Sequence, residues 1–73
     1  MNARPRKRSL TLRGHRTSVS MEDAFWDEFR RIAEARNQSV NDLAAEIDAD
    51  RVMASGLASA IRVFVLNEVK AGR

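Results

Sequence analysis

The sequence predicts a mostly α-helical domain with one short N-terminal β-strand, built as a homodimer in which two copies of the strand form an antiparallel ribbon, with helices behind it. Three observations predict it. Residues 16–21 alternate, with Thr17, Val19 and Met21 on one side and Arg16, Ser18 and Ser20 on the other, as successive residues of a strand do. Three later stretches repeat apolar residues at helical spacing. The chain has 73 residues and no cysteine, a size at which a lone domain buries only about 60% of its unfolded surface, so a single unpaired strand calls for a second copy.

In order along the chain, residues 1–8 read as a flexible basic arm and residues 9–73 as the folded domain. Leu10 and Leu12 are apolar at even positions whereas Val19 and Met21 are apolar at odd ones, so an unbroken strand would point the two pairs to opposite faces. Gly14 is the natural place for the bulge or turn that shifts the phase. Residues 9–13 are then a second, edge-pairing strand or an ordered arm laid over the dimer.

After the strand, Ser20 with Asp23 reads as a capping box, and Phe25, Phe29, Ile32, Ala33 and Arg36 follow on one helical face. Asn37 and Gln38 end that helix. Ser39 with Asp42 offers a second capping box before Val40, Leu43, Ala44 and Ile47, at i, i+3, i+4 and i+7. Residues 48–50 and 55–56 frame a loop whose middle, 51–54, reads either as a helical extension or as an irregular turn. The last stretch runs from Leu57 through Ile61, Phe64, Val65 and Val69, and Val63 and Leu66 widen its apolar stripe. A helix apolar nearly all round is buried, and in so short a chain that burial points to a partner subunit.

Charge is unevenly placed. Residues 1–16 hold six bases and no acid, for +6, while residues 17–73 hold the other seven bases against all ten acids, for −3. A basic cluster running directly into a candidate ribbon is the electrostatic footprint of phosphate binding, and a two-stranded ribbon fits the major groove of double-stranded DNA. Catalysis has nothing to work with: His15 is the only histidine, and no second histidine, thiol or carboxylate cluster stands beside it for acid-base or nucleophilic work. The same scarcity excludes a metal site, and no cofactor is implied. No apolar run approaches the roughly 20 residues of a membrane span, and the N-terminus lacks the apolar core of a signal peptide. A cytoplasmic location is the expectation.

The strand 16–21, the stretch 22–33 and a further apolar helix resemble the ribbon-helix-helix family, the Arc and Met-repressor type. More closely, residues 8–12 with 14–18, Phe25-Trp26 and residues 59–66 resemble the short bacterial ribbon-helix-helix proteins, over about residues 6 to 70. The resemblance implies an intertwined homodimer whose outward strand residues read bases while the start of the second helix holds a phosphate. Carried over by position, Arg16, Ser18 and Ser20 are the base readers. Arg16 reads a guanine edge or anchors a phosphate, and Ser20 reads or caps. Phosphate contacts fall to Arg4, Arg6, Lys7, Arg8, Arg13 and His15, and at the second helix to Ser39 and Val40, or to Ser55 and Gly56 if the last helix is the family's second. The short link before Ser39 favours the former. Val19, Met21, Phe25, Trp26, Phe29, Ile61, Phe64 and Val65 form the dimer core. Thr17 departs from the usual inward aliphatic, and a third helix departs from the usual two.

The function implied is a DNA-binding transcriptional regulator, most simply a repressor. The rival is an antitoxin-like or other protein-interaction module built on the same dimer. Such chains extend well past the DNA-binding part, whereas only residues 70–73 follow the last helix here. A structural protein using the dimer without DNA would lack the basic run 4–8.

Overall fold

In the computed structural model, which describes residues 4–51 and 56–72, two strands precede three helices: β1 (Arg6–Leu12), β2 (His15–Met21), α1 (Asp23–Ala35), α2 (Val40–Ala49) and α3 (Leu57–Ala71). The ambiguous segment 51–54 lies, apart from Arg51, outside the described residues. So does Ser55.

The strands pair with each other, antiparallel, from Arg6 opposite Met21 to Leu12 opposite His15. This corrects the expectation of one strand paired with a partner's: the ribbon closes within a single chain. The two-residue link makes it possible. Arg13 (φ 52°) and Gly14 (φ 88°) both take positive φ, the backbone of a type I′ turn, whose twist matches that of the flanking strands. The turn also resolves the phase shift. Even residues of β1 stand opposite odd residues of β2, so Leu10, Val19 and Met21 share one face and all are buried.

That face lies on the helices. Leu10, Val19 and Met21 join Phe29 and Ala33 of α1, Leu43, Ala44 and Ile47 of α2, and Ile61 and Val65 of α3 in one core. Phe29 is its centre, fully buried, with its ring 5.9 Å from Trp26 and 6.4 Å edge-on from Phe64, separations at which aromatic pairs attract beyond simple burial. Five residues assigned from sequence to a dimer core, namely Val19, Met21, Phe29, Ile61 and Val65, are thus buried inside one chain. Phe25, Trp26 and Phe64 are partly buried against the same cluster. The third helix is likewise not sealed all round: Val63 and Leu66 are 58% and 54% exposed.

Helix boundaries follow local chemistry. Ser39 caps α2, its Oγ accepting from the Asp42 N–H at 3.0 Å. At the end of α1, Asn37 takes φ 57°, the Gln38 N–H donates to the Ala33 carbonyl at 2.9 Å and the Asn37 N–H to that of Glu34 at 3.0 Å, which is a Schellman closure with asparagine in the left-handed position. Ser20 does not cap α1. The strand runs on to Met21, and the residue at the cap is Glu22, without a side-chain capping bond.

Candidate nucleic-acid interface

Because a two-residue turn is closed by a hydrogen-bonded pair, Leu12 and His15 face each other through their backbone groups, and so do every second pair beyond them. The intervening pairs, Thr11–Arg16, Ser9–Ser18 and Lys7–Ser20, turn their N–H and C=O groups outward. Two contacts agree with this. The Thr11 N–H donates to Asn41 Oδ1 of α2 at 3.0 Å, and the Ser20 carbonyl accepts from Arg62 Nη2 of α3 at 3.1 Å. Each edge of the hairpin is therefore held to a helix at one point.

The same three pairs put their side chains on the face away from the core. All six residues are exposed, and none is acidic. Arg16, Ser18 and Ser20 stand together there, in the order expected of outward strand residues. Thr17 lies on the other face, yet is exposed, above a hollow lined by Leu12, His15, Asp48, Arg51 and Leu57.

The basic residues assigned from sequence to phosphates separate into two groups. Lys7 is on the outward face, Arg13 is exposed at the turn, and Arg4 is exposed ahead of β1. The others turn elsewhere. Arg6, Lys7 and Arg8, read from sequence as the end of a flexible arm, are the first residues of β1. Arg6 Nε is 3.7 Å from Asp23 Oδ1. Arg8 has only 17% of its side chain exposed. It donates to the Met21 carbonyl at 3.2 Å, pairs with Asp23, and stands 5.5 Å over the Trp26 ring. Its charge is engaged inside the fold, by Asp23, the Met21 carbonyl and the Trp26 ring. His15 faces the hollow with Asp48 and Arg51 rather than the outward face.

Asn41 brings the start of α2 against β1. Val40 and Asn41 are at positions whose N–H groups have no partner within a helix, and the helix dipole adds partial positive charge there. Beside them a cleft of about 520 Å³ is lined by Arg30, Arg31, Ser39 and Val40, with Asp27 and Glu34 on its α1 side. Sequence reasoning missed Arg30 and Arg31; their only signal was proximity, through the short link, to the cap of α2.

Behind the outward face, Arg62 joins three elements. It donates to Glu22 Oε1 from Nε at 2.9 Å as well as to Ser20, and lies 6.0 Å from the Phe25 ring centre. Bonding to its own backbone N–H and to the Arg62 guanidinium holds the Glu22 carboxyl below its ordinary value of 4.5. Among the described residues no group of three or more metal-ligating side chains occurs, and no helix is long and apolar enough to cross a membrane.

Neither the curated proteins nor the solved structures compared with the chain gave a match. Among protein families, the ribbon-helix-helix domain matches residues 5–69, a span that takes in both strands, α1, α2 and all but the end of α3. The third helix thus lies, but for its end, inside the matched span. Proteins of that domain are in general non-enzymatic DNA-binding regulators that bind as dimers. With its ribbon, its helices and 65 of its 73 residues inside the match, this chain belongs to the ribbon-helix-helix family.

Proposed function

We propose that the protein is a sequence-specific regulator of transcription, in its simplest form a repressor, that binds double-stranded DNA as a homodimer and reads the major groove with Arg16, Ser18 and Ser20. The observation that carries this is the acid-free, exposed face of the hairpin, set opposite the face whose Leu10, Val19 and Met21 are buried in the core. Arg16 has the fork geometry to pair with a guanine edge, worth ~1–3 kcal/mol of discrimination, and serine hydroxyls donate or accept as the base requires. Ser20 serves as a reader because the cap of α1 is Glu22.

Phosphate positioning falls to Lys7, Arg13 and Arg4 around the hairpin and to the Ser39–Val40 end of α2, where Arg30 and Arg31 add charge. Such contacts set register and affinity without carrying sequence information. The exposed Val63 and Leu66 of α3 favour a protein contact, and a second copy is the one the family's dimeric habit supports.

The test is a gel shift against fragments of the source genome, including the chain's own promoter, repeated from low to physiological salt. The reading expects one or a few fragments to be retained at salt that releases the others, with affinity falling log-linearly with salt. Equal retention of all fragments would leave a non-specific binder, and no retention at low salt would remove DNA as the ligand.

A further inference from the structure

We infer that Asn41 is a positioning residue for DNA recognition: its carboxamide fixes the hairpin on the start of α2 and, through Thr11, sets where Arg16 stands. This rests on the DNA-binding reading above and adds to it a residue outside the reading face. Asn41 Oδ1 accepts from the Thr11 N–H at 3.0 Å, across thirty residues of sequence. Thr11 is the cross-strand partner of Arg16. The tie therefore bears on the strand pair that carries the arginine.

Other contact between the hairpin and α2 is apolar. Leu10 shares one buried cluster with Leu43, Ala44 and Ile47, and apolar burial is non-directional, so it presses the strand onto the helix without fixing the strand's place along it. A hydrogen bond supplies that directional hold. Asn41 stands in the first turn of α2, two residues after the Ser39 cap, and its own N–H belongs to the set that an α-helix leaves without an internal partner. One residue thus joins the ribbon, through its side chain, to the helix end proposed to hold a phosphate. A register set at that phosphate reaches Arg16 across one side chain and one strand pair, and a recognition constellation has to be held to about 0.5 Å to work.

At the opposite edge and the opposite end of the hairpin, the Ser20 carbonyl accepts from Arg62, so the ribbon is held at two diagonal corners and resists pivoting about either. The Asn41 tie is on the β1 edge. A second copy's strand laid along β2 would leave it intact. The residue type fits the task, because a carboxamide gives the acceptor that Thr11 needs without the negative charge that a carboxylate would bring to a phosphate.

The experiment uses the full chain, a duplex that it selects from a random library, and a scrambled duplex of the same length. Affinity for the two duplexes is measured for the parent chain, Asn41→Ala, Asn41→Asp, Thr11→Pro and the double variant Asn41→Ala with Thr11→Pro, each at a temperature where circular dichroism shows it folded. Proline removes the donated N–H, and an outward-facing edge position is where a strand accepts it. Asn41→Ala and Thr11→Pro should each lower the ratio of selected to scrambled affinity by on the order of threefold to tenfold, the size of one net hydrogen bond, with binding to the scrambled duplex unchanged. The double variant should lose no more than either single one. Competition against single-base variants should place the loss at the position that Arg16→Ala relaxes. Asn41→Asp keeps the acceptor and should keep the ratio, while its charge weakens both duplexes alike. A parental ratio retained by Asn41→Ala overturns the inference, and so does a double variant whose two losses multiply; the two Asn41 variants decide the matter alone if Thr11→Pro does not fold. A parent chain that binds both duplexes equally removes the DNA reading itself, which is a separate failure.

Discussion

The guanidinium of Arg8 and the carboxylate of Asp23 hold the start of the hairpin against the first turn of α1. The bond joins residues fifteen apart in sequence, and the same guanidinium reaches the Met21 carbonyl and the Trp26 ring. Within one run of basic residues, Arg8 therefore belongs to the fold and its neighbour Lys7 to the surface.

This division is measurable. Arg8→Ala should destabilise the domain by about 1–3 kcal/mol, through a lost charge-assisted bond and a lost cation–π contact, and leave the salt dependence of DNA binding unchanged. Lys7→Ala should do the reverse, keeping stability within about 0.5 kcal/mol and lowering the salt slope by about one unit. Thermal melts and salt titrations check the pair. A lowered slope for Arg8→Ala with unaltered stability would place that guanidinium on DNA.

The turn gives a second outcome. Gly14 has φ 88° and open space where a Cβ would go, so Gly14→Ala costs only backbone strain, about 1 kcal/mol. Arg13 is the unusual residue, since a non-glycine at positive φ is uncommon and asparagine tolerates it far better. Arg13→Asn should raise stability by about 0.5–1 kcal/mol, and a lower melting temperature for it would show that Arg13 makes a compensating contact.

That turn also marks where the sequence was legible and where it was not. The phase break between Leu12 and Val19 located the turn, and the apolar periodicities located all three helices, because both depend only on which face each residue must bury. The partner of β2 was not legible. Alternation specifies a strand but not what it pairs with, and Arg13-Gly14 lacks the asparagine or aspartate that usually announces a tight hairpin, so nothing local chooses between residues 9–13 and a second chain as the partner. For the third helix the sequence does not show how much one chain covers: Ile61 and Val65 face the core while Val63 and Leu66 do not, and periodicity counts apolar residues without knowing how many neighbours exist to cover them. Ser39 was readable as a cap because capping is local. Arg8 was not readable as structural because its partners lie up to eighteen residues away.

Acid should weaken the junction that Arg62 ties. The Glu22 carboxyl is held below its ordinary value of 4.5 in the folded chain, so its contribution is present above 4.5 and is lost as pH falls through the lower, folded value. Melting temperature followed from about pH 6 to about pH 3 should fall less steeply below pH 4.5 for Glu22→Gln than for the parent chain. Identical acid limbs would mean that the bond to Arg62 adds nothing in solution.

The exposed stripe on α3 predicts how copies associate. Val63→Lys with Leu66→Lys should convert a dimer into a monomer that stays folded, because both residues lie outside the core that the chain builds for itself. Light scattering and circular dichroism follow the two properties separately. A parent chain that is monomeric at high concentration, or a double variant that remains dimeric, would remove α3 as the contact.

The two faces of β2 give the last outcome, which separates reading from folding. Arg16 is exposed and outward, whereas Val19 is 5% exposed and packed with Met21 against the helices. Arg16→Ala should keep stability within about 0.5 kcal/mol, as surface changes do, while relaxing base preference at one position of each half-site by ~1–3 kcal/mol. Val19→Ser should loosen the fold first, since it removes two buried methyls and buries a hydroxyl without an assured partner, and DNA binding should fall only as far as the folded fraction does. Competition against single-base variants, run beside melts, reads both effects. Uniform weakening by Arg16→Ala across all sequences would make Arg16 a phosphate anchor, and a stable Val19→Ser chain would mean that the hairpin is not held to the helices by this face.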